Sequence, residues 1–311
     1  MTSSPSGTDA ADAPAAAPAD ALHEPDAIGL AGAIGALVGL VRAPEAERRL
    51  AEDRGAFLTE LGFSGDDIAS LAGASDARLL LYRKLIRRGI SRAVRAEIPR
   101  SAARLEGAFE AWVSRFIDEE APRSHYLRDV AFEFVAWAAP RWAEDASVPG
   151  YLEDLARHEL SAFEVASADA RGRGAESAAG LAPEIGAGAE PRALPIELDR
   201  GVRFHPSVRL CRYAHAVHRL EADEAARDEP ACVPTALLAY RDEEHEVRYL
   251  ELTELAAAML ERLLRGETLR EAVVGASSAL GHALDGAVLS GTAALLEDLT
   301  GRGAVRGGSG A

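Results

Sequence analysis

The chain has 311 residues and a formal net charge of −16 at pH 7. That length exceeds one typical domain and points to two, and that charge excludes a protein whose whole surface tracks nucleic acid, since such surfaces meet phosphate with a domain-wide positive field. Aromatic residues are 5% of a chain that is 48% hydrophobic, so its cores are expected to be built of small residues, mostly in helices.

Residues 1–25 are Ala, Pro, Asp and Ser with almost nothing to bury, and read as a disordered tail. They have neither the basic start nor the apolar core of a secretory signal, and no later run approaches the roughly 20 apolar residues of a membrane span, so a cytoplasmic protein is expected. Cys211 and Cys232 are the only cysteines, too few for a disulfide framework, and are read as reduced. From 26 to 167, apolar residues recur at three- and four-residue spacing in "IGALVGLV", "LLLYRKLIRRGISRAV", "LEGAFEAWVSRFI" and "YLEDLARHELSAFEV", which predicts an all-α bundle of five or six helices. Pro99, Pro122, Pro140 and Pro149 are expected at helix ends. Trp112, Trp137 and Trp142 are expected in the core or at an interface of the bundle, because they cost too much to leave exposed in an aromatic-poor chain.

Residues 168–199 are rich in Ala, Gly and Pro and read as a flexible linker. Beyond it the pattern changes. "GVRFHPSVRLCRYAHAVHRL", "TALLAYRD" and "EVRYLELT" carry strand-forming residues with polar interruptions, and "RDEEHE" suits a hairpin connection between the last two. Three helical stretches follow, the first capped by Thr253, with Gly266 and Gly281 at helix ends. The expected architecture is therefore multidomain: a helical bundle over 26–167 and a small α+β, winged-helix-like domain over 200–303, with 304–311 a second disordered tail.

One stretch stands apart in charge. Residues 78–104 hold nine basic side chains against Glu97, a net +8 that leaves −24 on the rest of the chain. On a helix, Tyr82, Ile86, Ile90 and Val94 form an apolar i, i+4 stripe, and Arg83, Lys84, Arg87, Arg88, Arg92 and Arg95 lie largely off it. Such a face is a solvated side paired with neighbouring acids, a docking face for an acidic partner, or a DNA contact. The presumed helices from 253 to 303 carry four arginines against seven acids, a net −3, so a DNA-reading role falls to the basic helix alone.

Signatures of catalysis are missing: there is no GxSxG, no P-loop, no GxGxxG after a strand and no HExxH, so no enzyme and no cofactor are expected. "GRGAVRGG" follows a helix instead of opening one and cannot cradle phosphate in the usual way. His205, Cys211, His215 and His218 are the best metal candidates by type. Strand geometry argues against them, since Cys211 and His215 share one face of a regular strand while His218 points to the other, and no metal site is expected.

The order of landmarks resembles the HvfC/BufC family. "RLLLYRKLIRRGI", the proline of "AEIPR", "LEGAFEAWVSRFIDEEAPRSHYLRDVAFEFVAW" and "VPGYLEDLARHELSAF" are similar to its N-terminal module, described as DNA-binding but of uncertain role. "VRFHPSVRLCRYAHAVHRL" followed by "LLAYRDEEHEVRYLELTELAAAMLERLLRGETLREAV" is similar to its C-terminal domain. The resemblance spans about 78–300; residues 27–77 fit it less well, and Leu160 stands where a bulky aromatic is expected. It implies a non-catalytic partner of multinuclear non-haem iron oxidases that modify cysteines of ribosomally made precursor peptides. It also implies a C-terminal peptide-recognition element of winged-helix type, which captures a leader peptide along a sheet edge. Val247, Arg248, Tyr249 and Leu250 are the candidate edge, with the following helix as groove wall, although Tyr249 and Leu250 would equally serve as core residues of a strand. The alternative is a transcription regulator that uses the basic helix on DNA.

Overall fold

A computed structural model of the protein describes residues 27–124, 126–168 and 194–309, so the expected tail over 1–25 and most of the expected linker lie outside the described residues. The chain divides into two compact units, residues up to Leu80 and residues from Leu81. No described helix is long and apolar enough to cross a membrane.

The first unit holds α1 (Ala27–Arg42), α2 (Ala46–Glu60), α3 (Gly65–Ser70) and the first residues of α4 (Asp76–Glu97). Leu40, Leu50, Phe57, Leu58, Phe63 and Leu79 form its core. Ser64 and Asp67 close a reciprocal cap on α3, Asp67 N–H donating to Ser64 Oγ at 3.1 Å and Ser64 N–H to Asp67 Oδ2 at 3.0 Å.

The second unit continues α4 and adds α5 (Pro99–Arg104), α6 (Ala108–Glu119), α7 (Val130–Trp142) and α8 (Leu152–Ala166). Among the described residues the helical part thus has eight α-helices, two of them only six residues long, where five or six were expected. Its core is aromatic. Phe109, Phe116, Phe134, Trp112, Trp137 and Trp142 are all buried and meet edge-on or tilted, Phe116 and Phe134 at 5.8 Å and Trp112 and Trp137 at 6.1 Å between ring centroids. Pro99 opens α5 as expected. Pro140 does not end a helix: it sits inside the last turn of α7, where it cannot donate to the Ala136 carbonyl, and Arg141 Nη1 donates to the next carbonyl, that of Trp137, at 2.6 Å.

The remaining chain is α+β. Strands β1 (Val202–Phe204), β2 (Arg209–Tyr213), β3 (Thr235–Arg241) and β4 (Val247–Leu252) precede α9 (Glu254–Leu264), α10 (Leu269–Ala279), α11 (Gly286–Gly301) and β5 (Val305–Gly308). Strands β2, β3 and β4 form an antiparallel sheet with β3 in the middle. The central strand is buried along all but its last residue, which explains the continuous apolar run "TALLAY". Its side chains alternate between two layers: Leu237 joins Leu155, Tyr213 and Val217, and Leu238 and Tyr240 join Leu260, Leu263 and Val273. Helix α8 therefore covers one face of the sheet and α9 and α10 back the other. The expected break at 168–199 is not where contacts part, because α8 belongs to the same compact unit as the sheet it covers.

The expected tail at 304–311 is corrected by β5, which pairs antiparallel with β1. Ala304 and Val305 are buried, and of the glycines that suggest looseness Gly308 serves close packing. A Cβ on Gly308 would clash with the Pro195 carbonyl oxygen, and Gly308 N–H donates to the Leu194 carbonyl at 2.8 Å, which also fixes the last residues of the expected linker.

Candidate functional site

"RDEEHE" makes the expected hairpin. Asp242 N–H donates to the Glu246 carbonyl and His245 N–H to the Asp242 carbonyl, both at 3.0 Å, with His245 at φ 66° in the turn. This closure sets the register of β4: Tyr240 faces Arg248, Leu238 faces Leu250 and Ala236 faces Leu252. Hydrogen-bonded pairs alternate in an antiparallel ladder, so Arg248, Leu250 and Leu252 turn their backbone groups to β3. The backbone N–H and C=O of Val247, Tyr249 and Glu251 then point outward, along an edge that no described strand covers.

The side chains of β4 split between its two faces. Tyr249 points to α8, where its hydroxyl lies 3.1 Å from Ser161 Oγ and its ring 4.6 Å from His158. Glu251, on the same side, accepts from Arg219 Nη2 at 2.9 Å and lies 3.3 Å from His218 Nε2; Arg219 holds its carboxyl below the usual range. Leu250 and Leu252 point the other way and line a groove of about 530 Å³ with Leu255, Met259, Val288 and Leu295. One wall is β4, one is α9 and the third is α11. Thr253 starts α9 directly after the strand, its Oγ1 accepting from Ala256 N–H at 3.2 Å, and Asp285 starts α11 by accepting from Ala287 and Val288 N–H at 3.0 Å. Helix α11 buries only Leu296 and Leu299, so its first three turns stand beside the strand edge with their apolar side chains partly open. An open edge offers main-chain partners to an extended chain, and an adjoining apolar groove receives its alternate side chains.

The four expected edge residues are thus brought together on β4, but unequally. Arg248 is committed to Asp242 at 2.5 Å and Tyr249 to α8, leaving Leu250 as the one whose side chain faces the groove. The expected wall, α9, is present; Leu252, Val288 and Leu295 escape the sequence reading because they come from elements some forty residues apart.

The opposite face is closed by polar groups on α8. Asp154 Oδ2 accepts from Ala214 N–H (2.9 Å), His215 N–H (3.0 Å) and His215 Nδ1 (2.8 Å), which fixes the turn after β2. Glu159 accepts from the N–H groups of Arg100 and Ser101 at 2.8 and 3.0 Å and caps α5. Adjacent residues of one helix therefore serve opposite neighbours, His158 the sheet and Glu159 the bundle. Burial, with Arg100 and His218 nearby, holds the His158 imidazole down at a pKa of about 4.

The metal candidates are dispersed into separate pairs. His205 Nδ1 meets Ser207 Oγ at 2.7 Å, His215 meets Asp154, His218 meets Glu251, and burial pushes the Cys211 thiol up. Among the described residues no group of three or more His, Cys, Asp or Glu is placed to hold a metal ion.

Of the six cations of the basic helix, two are tied to α6. Arg87 bonds Asp118 at 2.6 Å, and Arg95 bonds Glu110 at 3.3 Å while lying 4.2 Å over the Phe109 ring. Arg83 is partly buried beside Arg87 and Asp118, and burial lowers its pKa. Lys84, Arg88 and Arg92 are exposed. The expected apolar stripe is only half buried: Ile90 and Val94 are in the core, whereas Tyr82 and Ile86 are exposed, because Asp118 and Ser114 turn the Arg87 side of the helix inward.

Residues 205–300 match the family model of the HvfC C-terminal domain. No curated protein matches the chain. The matched span contains β2, β3 and β4, the groove walls α9 and all but the last residue of α11, and it supports membership of the chain in the HvfC family.

Proposed function

We propose that the chain is a non-catalytic accessory subunit that holds a ribosomally made precursor peptide for a multinuclear non-haem iron oxidase. The observation that carries this reading is the open β4 edge beside an apolar groove, inside the span that matches the HvfC C-terminal domain. In this reading the three-stranded sheet and the three helices after it act as a winged-helix-like peptide-recognition element. The leader adds as a strand to Val247, Tyr249 and Glu251, bonding to their outward N–H and C=O groups, while every second leader side chain enters the groove between Leu250, Leu252, Val288 and Leu295. Large aliphatic leader residues two apart suit that lining; a charge at either position would be stranded in it. The role is recognition, and the protein works where the oxidase and precursor are made, in the cytoplasm.

The test is a fluorescence-anisotropy titration of a labelled ribosomal precursor peptide from the same organism. Glu251→Pro removes one outward N–H and leaves the bonds of β4 to β3 in place, since proline is tolerated at an edge position whose N–H faces solvent. Gly291→Phe fills the groove from an exposed helical position. Each is expected to weaken binding at least about tenfold, or about 1.4 kcal/mol. Unchanged affinity in both variants contradicts the assignment.

A further inference from the structure

We propose that the outward face of α4 is the surface on which the partner protein docks, and that the partner presents there an acidic, amphipathic helix. Four large apolar side chains stand in water on this face: Leu81 (53% exposed), Tyr82 (42%), Leu85 (58%) and Ile86 (38%). They form two i, i+4 pairs, a strip along two turns of helix. Contiguous exposed apolar patches of this kind mark interaction sites on folded proteins.

A basic strip borders them. Lys84, Arg88 and Arg92 are exposed and meet no acid among the described residues, in contrast to Arg87 and Arg95, which α6 neutralises. Gly89 continues the apolar strip one turn beyond Leu85 and Ile86, and a Cβ there would meet nothing within 4 Å, so a second helix could approach closely at this point. The surface therefore asks for an occupant with an apolar ridge and acids on one flank. Residues 1–26 supply the acids (Asp9, Asp12, Asp20, Glu24 and Asp26, without Lys or Arg) but only Leu22 as a large apolar side chain after Met1, so this segment cannot fill the strip. Nucleic acid would use the cations and leave the apolar strip uncovered, and Arg87 and Arg95 are already committed to α6.

This inference rests on the accessory reading, the partner being the oxidase of that reading. The test co-expresses the full-length chain with a multinuclear non-haem iron oxidase from the same organism and measures their dissociation constant. The measurement is repeated for the Lys84→Glu, Arg88→Glu, Arg92→Glu triple variant and for Leu85→Glu, all at exposed positions. Both variants are expected to lose at least about tenfold in oxidase affinity while leader-peptide affinity and melting temperature stay at wild-type values; wild-type affinity should also fall as salt rises. Oxidase binding within twofold of wild type in both variants overturns the assignment. So does a triple variant that loses only binding to a random 20-base-pair duplex, which assigns the face to nucleic acid, or only self-association in sedimentation, which assigns it to a second copy. A wild-type chain that binds the leader but no oxidase instead overturns the accessory reading, and the docking surface with it.

Discussion

Helices α8 and α11 both reach strand β4, and they treat it differently. Helix α8 buries nine of its 15 residues, acids included, and fixes Tyr249 by a hydrogen bond and a ring contact. Helix α11 is one residue longer and buries two, leaving Val288, Gly291 and Leu295 beside an unpaired strand edge. The same strand is thus finished on one side and unfinished on the other. Where packing is complete, substitution changes stability; where it stops short, substitution changes what can bind.

The largest effect that sharpens this contrast is Leu155→Ala. Leu155 is fully buried where α8 meets the sheet, and its truncation is expected to cost about 2–5 kcal/mol in chemical denaturation. Acid comes next. The folded-state pKa of His158, about 4, lies below its unfolded value near 6.5, so the unfolded chain binds the extra proton first and stability falls as pH drops from about 6.5 to about 4. The loss from this group approaches about 3 kcal/mol at the bottom of that window. Denaturation midpoints across it should show the slope, and His158→Gln should flatten it. Gly308→Ala, which drives a methyl group into the Pro195 carbonyl, is expected to cost about 1–3 kcal/mol and to lower the thermal midpoint. On the open side the same chemistry does little: Leu289, 49% exposed on α11, is expected to tolerate alanine within about 0.5 kcal/mol.

Local signals in the sequence carry much of this fold. "RDEEHE" announces the β3–β4 hairpin, Thr253 caps α9 as its position suggests, Gly266 and Gly281 have the positive φ of helix ends, and the three tryptophans pack in the helical core. What stayed hidden depends on distant partners. β5 reads as a loose glycine-rich end because β1, which gives it a ladder, lies a hundred residues earlier. The rotation of α4 that exposes Tyr82 and Ile86 follows from Asp118 on another helix. The candidate site divides in the same way: Val247 to Leu250 are legible as a strand, but its groove exists only when α11 is brought beside it.

The most direct test of the central claim is residue-resolved amide hydrogen exchange with and without the precursor peptide. Added leader is expected to slow exchange at Val247, Tyr249 and Glu251, whose N–H groups face outward, and over the first turns of α11. Arg248, Leu250 and Leu252, already bonded to β3, should change little. Protection that skips the outward amides of β4, or that falls elsewhere in the chain while β4 is unchanged, would contradict the assignment of this edge as the peptide site.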